Sequence, residues 1–210
     1  MKAELRPAAA LTLFALGAAA LLAVTWHFTA GRIAEQERQA AQRALFEIVP
    51  PESHDNDMLD DTITVRAPEF LGTKKPVTVY RARRDGEPYA VVMPVVAPNG
   101  YSGPIHLLVG ILAGGRLAGV RVVSHQETPG LGDKIESSKT DWILQFAGLS
   151  LDNPPQGEWA VREDGGAFDS FTGATVTPRA VVGAIRNALI YFRDHEKALF
   201  ATTPQRPDNS

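Results

Sequence analysis

Residues 7–31, "PAAALTLFALGAAALLAVTWHFTAG", contain no formally charged side chain. As an α-helix rising ~1.5 Å per residue, such a run is long enough for a hydrocarbon core of ~30 Å. It reads as a single transmembrane helix, with a cleavable signal peptide as the alternative because Lys2 and Arg6 form a basic leader. Three features favour the span. The apolar run outlasts a usual signal core, Trp26 and Phe28 sit where an interfacial aromatic belt belongs, and a helical pattern follows directly. The positive charges precede the span, so the N-terminus (1–6) is expected in the cytoplasm and the bulk of the chain outside, in the periplasm of a bacterial inner-membrane protein. The lipid bilayer is thus the first expected partner.

A chain of 210 residues that is 44% hydrophobic has material for one core beside that anchor. Its net charge of −3 and its lack of a long Lys/Arg run set nucleic acid aside. With no cysteine, disulfides, iron–sulfur clusters, thiolate zinc and cysteine nucleophiles are excluded.

Past the span, "RIAEQERQAAQRALFEIV" (Arg32–Val49) repeats apolar residues at about the helical period and stops at Pro50-Pro51. "ESHDNDMLDD" (Glu52–Asp61) reads as a solvated acidic loop, so 32–61 forms a stalk and loop. From Thr62 the period becomes two. Val77–Arg84, the turn Asp85-Gly86 and Pro88–Val96 predict one hairpin; Ile105–Ala113, Gly114-Gly115 and Arg116–Gln126 predict another. Ser138–Gly148 reads as a helix capped by Thr140, Glu158–Val161 as a short strand, and Arg162–Asp169 as a turn. A last helix is expected to open with Thr177 as its N-cap and Pro178 at its first position. The fold expected for 62–200 is α+β: a curved, mainly antiparallel sheet with packed helices, followed by a disordered tail (201–210).

Much chemistry is missing. "NGYSGP" (Asn99–Pro104) spaces its glycines wrongly for a nucleophile elbow, and "GLGDKIESSK" (Gly130–Lys139) lacks both the phosphate-loop ending and the dinucleotide fingerprint. The five histidines share no ligand spacing. Glu127, Glu163, Asp164 and Asp169 are the carboxylates from which an acid–base pair would have to be drawn, and the sequence places no two of them together.

What remains is "FTGATVTPRAVV" (Phe171–Val182). A helix entry offers free N–H groups and about half a positive charge, which suits a phosphate. Gly173 and Ala174 leave room beside the backbone, and Thr172 and Thr175 supply hydroxyls. Spacing alone equally allows a simple hydroxyl turn and helix cap.

The wider pattern goes further. "DSFTGATVTPRAVV" resembles the flavinylation motif of the FMN-binding domain family. With "NGYSGPIHLLVGI", "GVRVVSHQETPGLGDKIE" and "DWILQFAG" it is similar, over about Tyr80–Phe192, to the G subunit of the Rnf ion-translocating electron-transport complex. The C subunit of the sodium-translocating NADH:quinone reductase is the nearer alternative; a flavin-free membrane-anchored assembly or sensing protein is the more distant one. The resemblance implies FMN joined as a phosphoester to Thr175 by a separate flavin transferase. It also implies a role as an electron carrier with no independent turnover, and the other membrane and peripheral subunits of such a complex as partners. Asp169, Gly173, Ala174 and Thr175 then form the transferase's recognition sequence as well as the flavin's seat. Thr177 and the N–H groups after Pro178 are the candidates to hold the phosphate charge. The second wall is expected from Glu127, Thr128, Gly130, Leu131 and Gly132, a tight turn past a strand that lays Leu131 against a flat ring. Lys134 either meets the phosphate or the reduced ring, or is an exposed lysine at a helix start; Trp142 either stacks on the ring or belongs to the core.

Overall fold

The computed structural model describes residues 2–201, except for the side chains of 2–10, 27–30, 33, 34 and 37. The expected cytoplasmic residues 1–6, the Phe28 half of the aromatic belt and the tail 202–210 therefore lie wholly or partly outside the described residues. The chain divides into two compact units, 1–43 and 44–210.

The first unit is helical, within α1 (Lys2–Phe46). Its alanine- and leucine-rich composition loses little side-chain entropy on coiling. Thr25 Oγ1 donates back to Leu21 O at 2.9 Å, and Gln39 to Glu35 at 2.7 Å, both one turn away. Among the described residues no helix is long and apolar enough to cross a membrane. The run expected to do so, 7–31, includes undescribed side chains toward both ends.

The second unit is built on a five-stranded antiparallel sheet in the order β1-β2-β3-β4-β5: β1 (Thr62–Val65), β2 (Val77–Arg84), β3 (Glu87–Ala97), β4 (Ile105–Leu112) and β5 (Leu117–Ser124). Both hairpins form where the alternating pattern and turn residues place them. Asp85 and Gly86 both take positive φ, 53° and 79°, the conformation that matches a two-residue turn to strand twist. Register shifts at Ala82/Arg83, His106/Leu107 and Gly110/Ile111 mark irregularities, which locally bend a strand and raise its twist.

Alternate side chains of β3 face opposite ways, and both sides are covered. Val91, Met93 and Val95 join the main core with the long helix α3 (Val176–Phe200), whose Val181, Val182, Ile185, Ala188, Leu189 and Phe192 are buried as its period predicts. On the other face Ala90 and Val92 meet Leu45, Ile48, Val49 and Met58. Residues 44–61, read from sequence as stalk and solvated loop, thus supply core. The loop is also tied to the sheet by polar contacts, with Asn56 Oδ1 accepting from Arg83 N–H at 2.7 Å. Between α2 (Pro68–Leu71) and α3, a groove of about 440 Å³ runs beside Phe70, Val176, Arg179 and Gly183.

The segment joining β5 to α3 differs most from expectation. Ser138–Gly148 contains a run of 3₁₀ turns, Asp141–Phe146, instead of an α-helix, although Thr140 caps it as expected by accepting from Trp142 N–H at 3.2 Å. Glu158–Val161 is no strand: its one ladder-like contact is a parallel bridge from Val161 to Phe168. The cause is the burial of Trp159, 1% exposed, whose indole N–H donates to Ser150 O and Pro154 O at 3.0 Å. Its ring lies 5.0 Å from Phe168 and 6.2 Å from Phe146. Large aromatic rings in contact bury enough area to override a weak local strand preference.

Candidate functional site

The tetrad Thr172–Thr175 forms the last turn before α3. Gly173 takes φ +80°, a conformation that L side chains avoid, and a Cβ built there would approach nothing closer than Leu131 Cδ2 at 3.9 Å. Ala174 N–H donates to Phe171 O at 2.9 Å, closing the turn. Thr175 stands at the N-cap position, but with helical φ/ψ (−69°, −27°) and no side-chain capping bond. Its hydroxyl has no hydrogen-bond partner among the described residues.

The expectation that Thr177 caps the helix is corrected, since α3 opens two residues earlier, at Val176 with Thr175 as its N-cap, and Pro178 falls at its third position. Thr177 is fully buried, and its hydroxyl donates to Glu127 Oε2. Arg179 N–H, the first after the proline, is taken by Thr175 O at 3.2 Å. Of the first N–H groups of α3, those of Val176 and Thr177, before the proline, have no backbone acceptor among the described residues. They sit at the positive end of a 25-residue helix.

Glu127 links three segments. The residue is 4% exposed. Its Oε1 accepts from Ser102 N–H at 3.0 Å and its Oε2 from Thr177, so the 100–104 turn and the 125–135 loop are both drawn onto the start of α3. The fit is close. A Cβ on Gly132 would lie 2.8 Å from Glu127 Cβ and Oε2 and 2.9 Å from Thr177 Oγ1; one on Gly100 would lie 2.9 Å from Glu127 Oε1. Gly132→Ala is therefore expected to push Glu127 off Thr177 and to destabilise the protein by about 1–3 kcal/mol. Equilibrium unfolding in urea checks this; Gly132 has no positive φ, so the loss comes from the crowded Cβ.

Behind Glu127 lies His125, whose Nδ1 accepts the Glu127 N–H at 3.0 Å. The neutral ring then carries its proton on Nε2 and donates to Glu136 Oε1 at 2.8 Å. Hydrogen bonds from His125 first and Ser138 second hold the Glu136 carboxyl below its ordinary 4.5. A depressed folded-state pKa contributes stability that is complete above the unfolded value and lost as pH falls through the folded one. The stability advantage of the native protein over Glu136→Gln is thus expected to shrink below about pH 4.5, as denaturant midpoints measured between pH 3 and 7 will reveal. The Glu136 side chain is 38% exposed, which keeps the effect small.

The rest of the loop is as follows. Thr128 O accepts from the N–H groups of both Leu131 and Gly132 at 3.1 Å, and Gly130 N–H donates to Asp133 Oδ1 at 2.8 Å. Leu131 is left 42% exposed and faces the Gly173 turn. Lys134 is half-buried, its carbonyl accepting from Thr140 at 2.6 Å and its ammonium unpartnered among the described residues. Trp142 is half-buried, edge-on to Phe146 and Phe171 at 5.2 Å, with its indole N–H on Asp169 O at 2.8 Å. Asp169 itself is exposed and meets Arg162 at 3.0 Å. Thr172 is exposed.

The sequence singles out none of Ser102, His125 and Glu136 as a partner of the site. Neither local spacing nor residue type signals a contact between Glu127 and a threonine fifty positions away.

Residues 100–190, which hold every element of this site, match the FMN-binding domain family, and residues 1–48 match the RnfG N-terminal region. The chain is 52% identical over 200 residues to the G subunit of the ion-translocating oxidoreductase complex of Pseudomonas aeruginosa (strain PAO1 among others), covering 95% of this chain and 94% of that protein. The protein of the same description from Shewanella piezotolerans is 43% identical over the same shares, and that of Vibrio cholerae 45% identical over 90% of each chain. Identity of this order across nearly the whole length places the chain in the family of G subunits of ion-translocating oxidoreductase complexes, to which it belongs.

Proposed function

We propose that this chain carries FMN as a phosphoester on Thr175 Oγ1 and serves as an electron carrier within an ion-translocating oxidoreductase complex, anchored in the membrane by residues 7–31. The observation that carries the reading is the uncommitted hydroxyl at the mouth of α3. Threonines at this position ordinarily accept from the helix's own N–H groups. Thr175 does not, and the N–H groups of Val176 and Thr177 beside it have no backbone acceptor among the described residues.

The residues present fit the group. A phosphate on Thr175 would draw on the Val176 and Thr177 N–H groups and the helix dipole, with no cationic side chain required. Gly173 keeps the approach open, and the exposed side chains of Leu131 and Val176 (40%) offer apolar surface for a flat ring. The Lys134 ammonium, unpartnered among the described residues, can meet negative charge. Trp142 supports the site from behind by holding Asp169 O, so its role is to fix the tetrad's approach. Bound FMN supplies the one- and two-electron chemistry, and the chain supplies placement and electrostatics.

A covalent tether retains the flavin in a compartment that does not make it, and the tetrad, exposed at Thr172 and Gly173, is accessible to a flavin transferase. Electrons would pass to and from neighbouring subunits of the complex, with no turnover by this chain alone. Peptide mass spectrometry of full-length protein purified from membranes, after coexpression with the transferase, tests the reading. An FMN phosphoryl adduct on the peptide containing Thr175 is expected, and an unmodified peptide sinks the proposal.

A further inference from the structure

We infer that Glu127 is the positioning residue of this site and the charge that sets its flavin's appetite for electrons, an inference that rests on FMN being attached at Thr175. The carboxylate is buried, and among the described residues no lysine, arginine or histidine side chain forms an ion pair with it. What surrounds it is a set of donors from separate segments: the Ser102 N–H at 3.0 Å, the Thr177 hydroxyl, and the positive end of α3. Two donors and a helix end suit an acceptor-only, ionised carboxylate. Glycine at 100 and 132 leaves the space that the side chain fills.

Two consequences follow from this placement. Geometrically, Glu127 fixes the first turn of α3 through a residue two positions beyond Thr175, and so holds Thr175 in place at the mouth of the helix. Electrostatically, a negative charge in a poorly solvated position, in contact with the helix turn that would carry the flavin, opposes electrons arriving on a flavin held there. Reduction by two electrons with uptake of one proton leaves an anionic reduced ring, and the carboxylate, by opposing that added charge, lowers the flavin's potential.

The test separates the two roles. In Glu127→Gln the amide oxygen still accepts from Ser102 and the amide nitrogen can donate to Thr177 Oγ1, so the geometry persists and only the charge goes. In Thr177→Val the charge stays with one donor fewer to offset it. Redox titration of the bound flavin's absorbance, on full-length protein in detergent, is expected to show Glu127→Gln favouring the reduced form by about tenfold per electron, about 59 mV. Thr177→Val is expected to shift the other way. Glu196→Gln, at the far end of α3, is the control and should match the native protein.

Loosening without a charge effect would move both site variants in one direction; that result, or an unmoved potential in Glu127→Gln, overturns the inference. If Glu127→Gln holds no flavin, Thr177→Val decides, and a rise or no change there counts against it. A native protein with no flavin on Thr175 overturns the site reading, and this inference with it.

Discussion

Thr175→Ala abolishes covalent flavin while leaving the protein folded: this is the expected result, with no fluorescent band on a denaturing gel and a thermal transition like that of the native chain. Both halves follow from the geometry. The hydroxyl makes no hydrogen bond among the described residues, so its removal strands no partner. The backbone at 175 is helical, a region in which alanine is at ease, and the residue is only partly buried. Cap substitutions cost about 1 kcal/mol because a capping bond is lost, and no such bond exists here. The stability change should thus stay within about 0.5 kcal/mol. Thr172→Ala removes the other hydroxyl of the tetrad and should keep the band, whereas Thr175→Ser retains an oxygen of the right kind at the right place. Fluorescence surviving in Thr175→Ala would move the attachment elsewhere; a large fall in melting temperature would mean that the hydroxyl has a structural partner.

Much of the sheet was legible because its signals are local. Strand alternation and the dipeptides Asp85-Gly86 and Gly114-Gly115 carry their own turn chemistry, and β2 begins and ends at the residues the pattern predicts. Beyond the Thr140 cap, little of the course of 125–175 was legible, since it is decided by contacts between distant residues. Trp159 turns an apparent strand into an irregular knot by seeking carbonyls at 150 and 154. Thr177 shows the same competition at the site. A threonine before a proline is a sound local cap signal, yet the hydroxyl goes to a buried carboxylate, where an unmet acceptor would cost more than an uncapped helix end. The proposal of Thr175 rests on the motif around it resembling a family's, since its spacing permits an ordinary helix cap equally well. The acidic run 52–61 forms a loop, as its composition suggests, but one whose charges also have partners in the fold. Charge there indicates partners as much as solvent, and Asp61 has two arginines.

Those partners make Asp61→Ala the substitution expected to cost the most stability. Arg81, 4% exposed, reaches Asp61 Oδ1 at 2.5 Å, and Arg83 reaches Oδ2 at 2.7 Å. The same two guanidiniums close the far end of α3. Arg81 donates to Ala201 O at 2.5 Å and Arg83 to Phe200 O at 2.9 Å, which places cations where the helix's last carbonyls leave partial negative charge. Asp61 neutralises the pair that anchors the helix whose other end bears Thr175. Removing it strands two largely buried positive charges, two residues apart on β2. Breaking a buried ion pair from one side costs about 3–5 kcal/mol, a large fraction of the stability of a domain this size. Asp61→Asn, which keeps an acceptor and loses the charge, should fall between. Equilibrium unfolding in urea with an unchanged m-value is the measurement, and Asp61→Ala within about 0.5 kcal/mol of native would show that the arginines hold α3 without it. Should the variant lose stability as expected yet still accept flavin at low temperature, the two ends of α3 are energetically separable: the arginines secure the helix to the sheet, and the contact between Glu127 and Thr177 suffices to present the threonine.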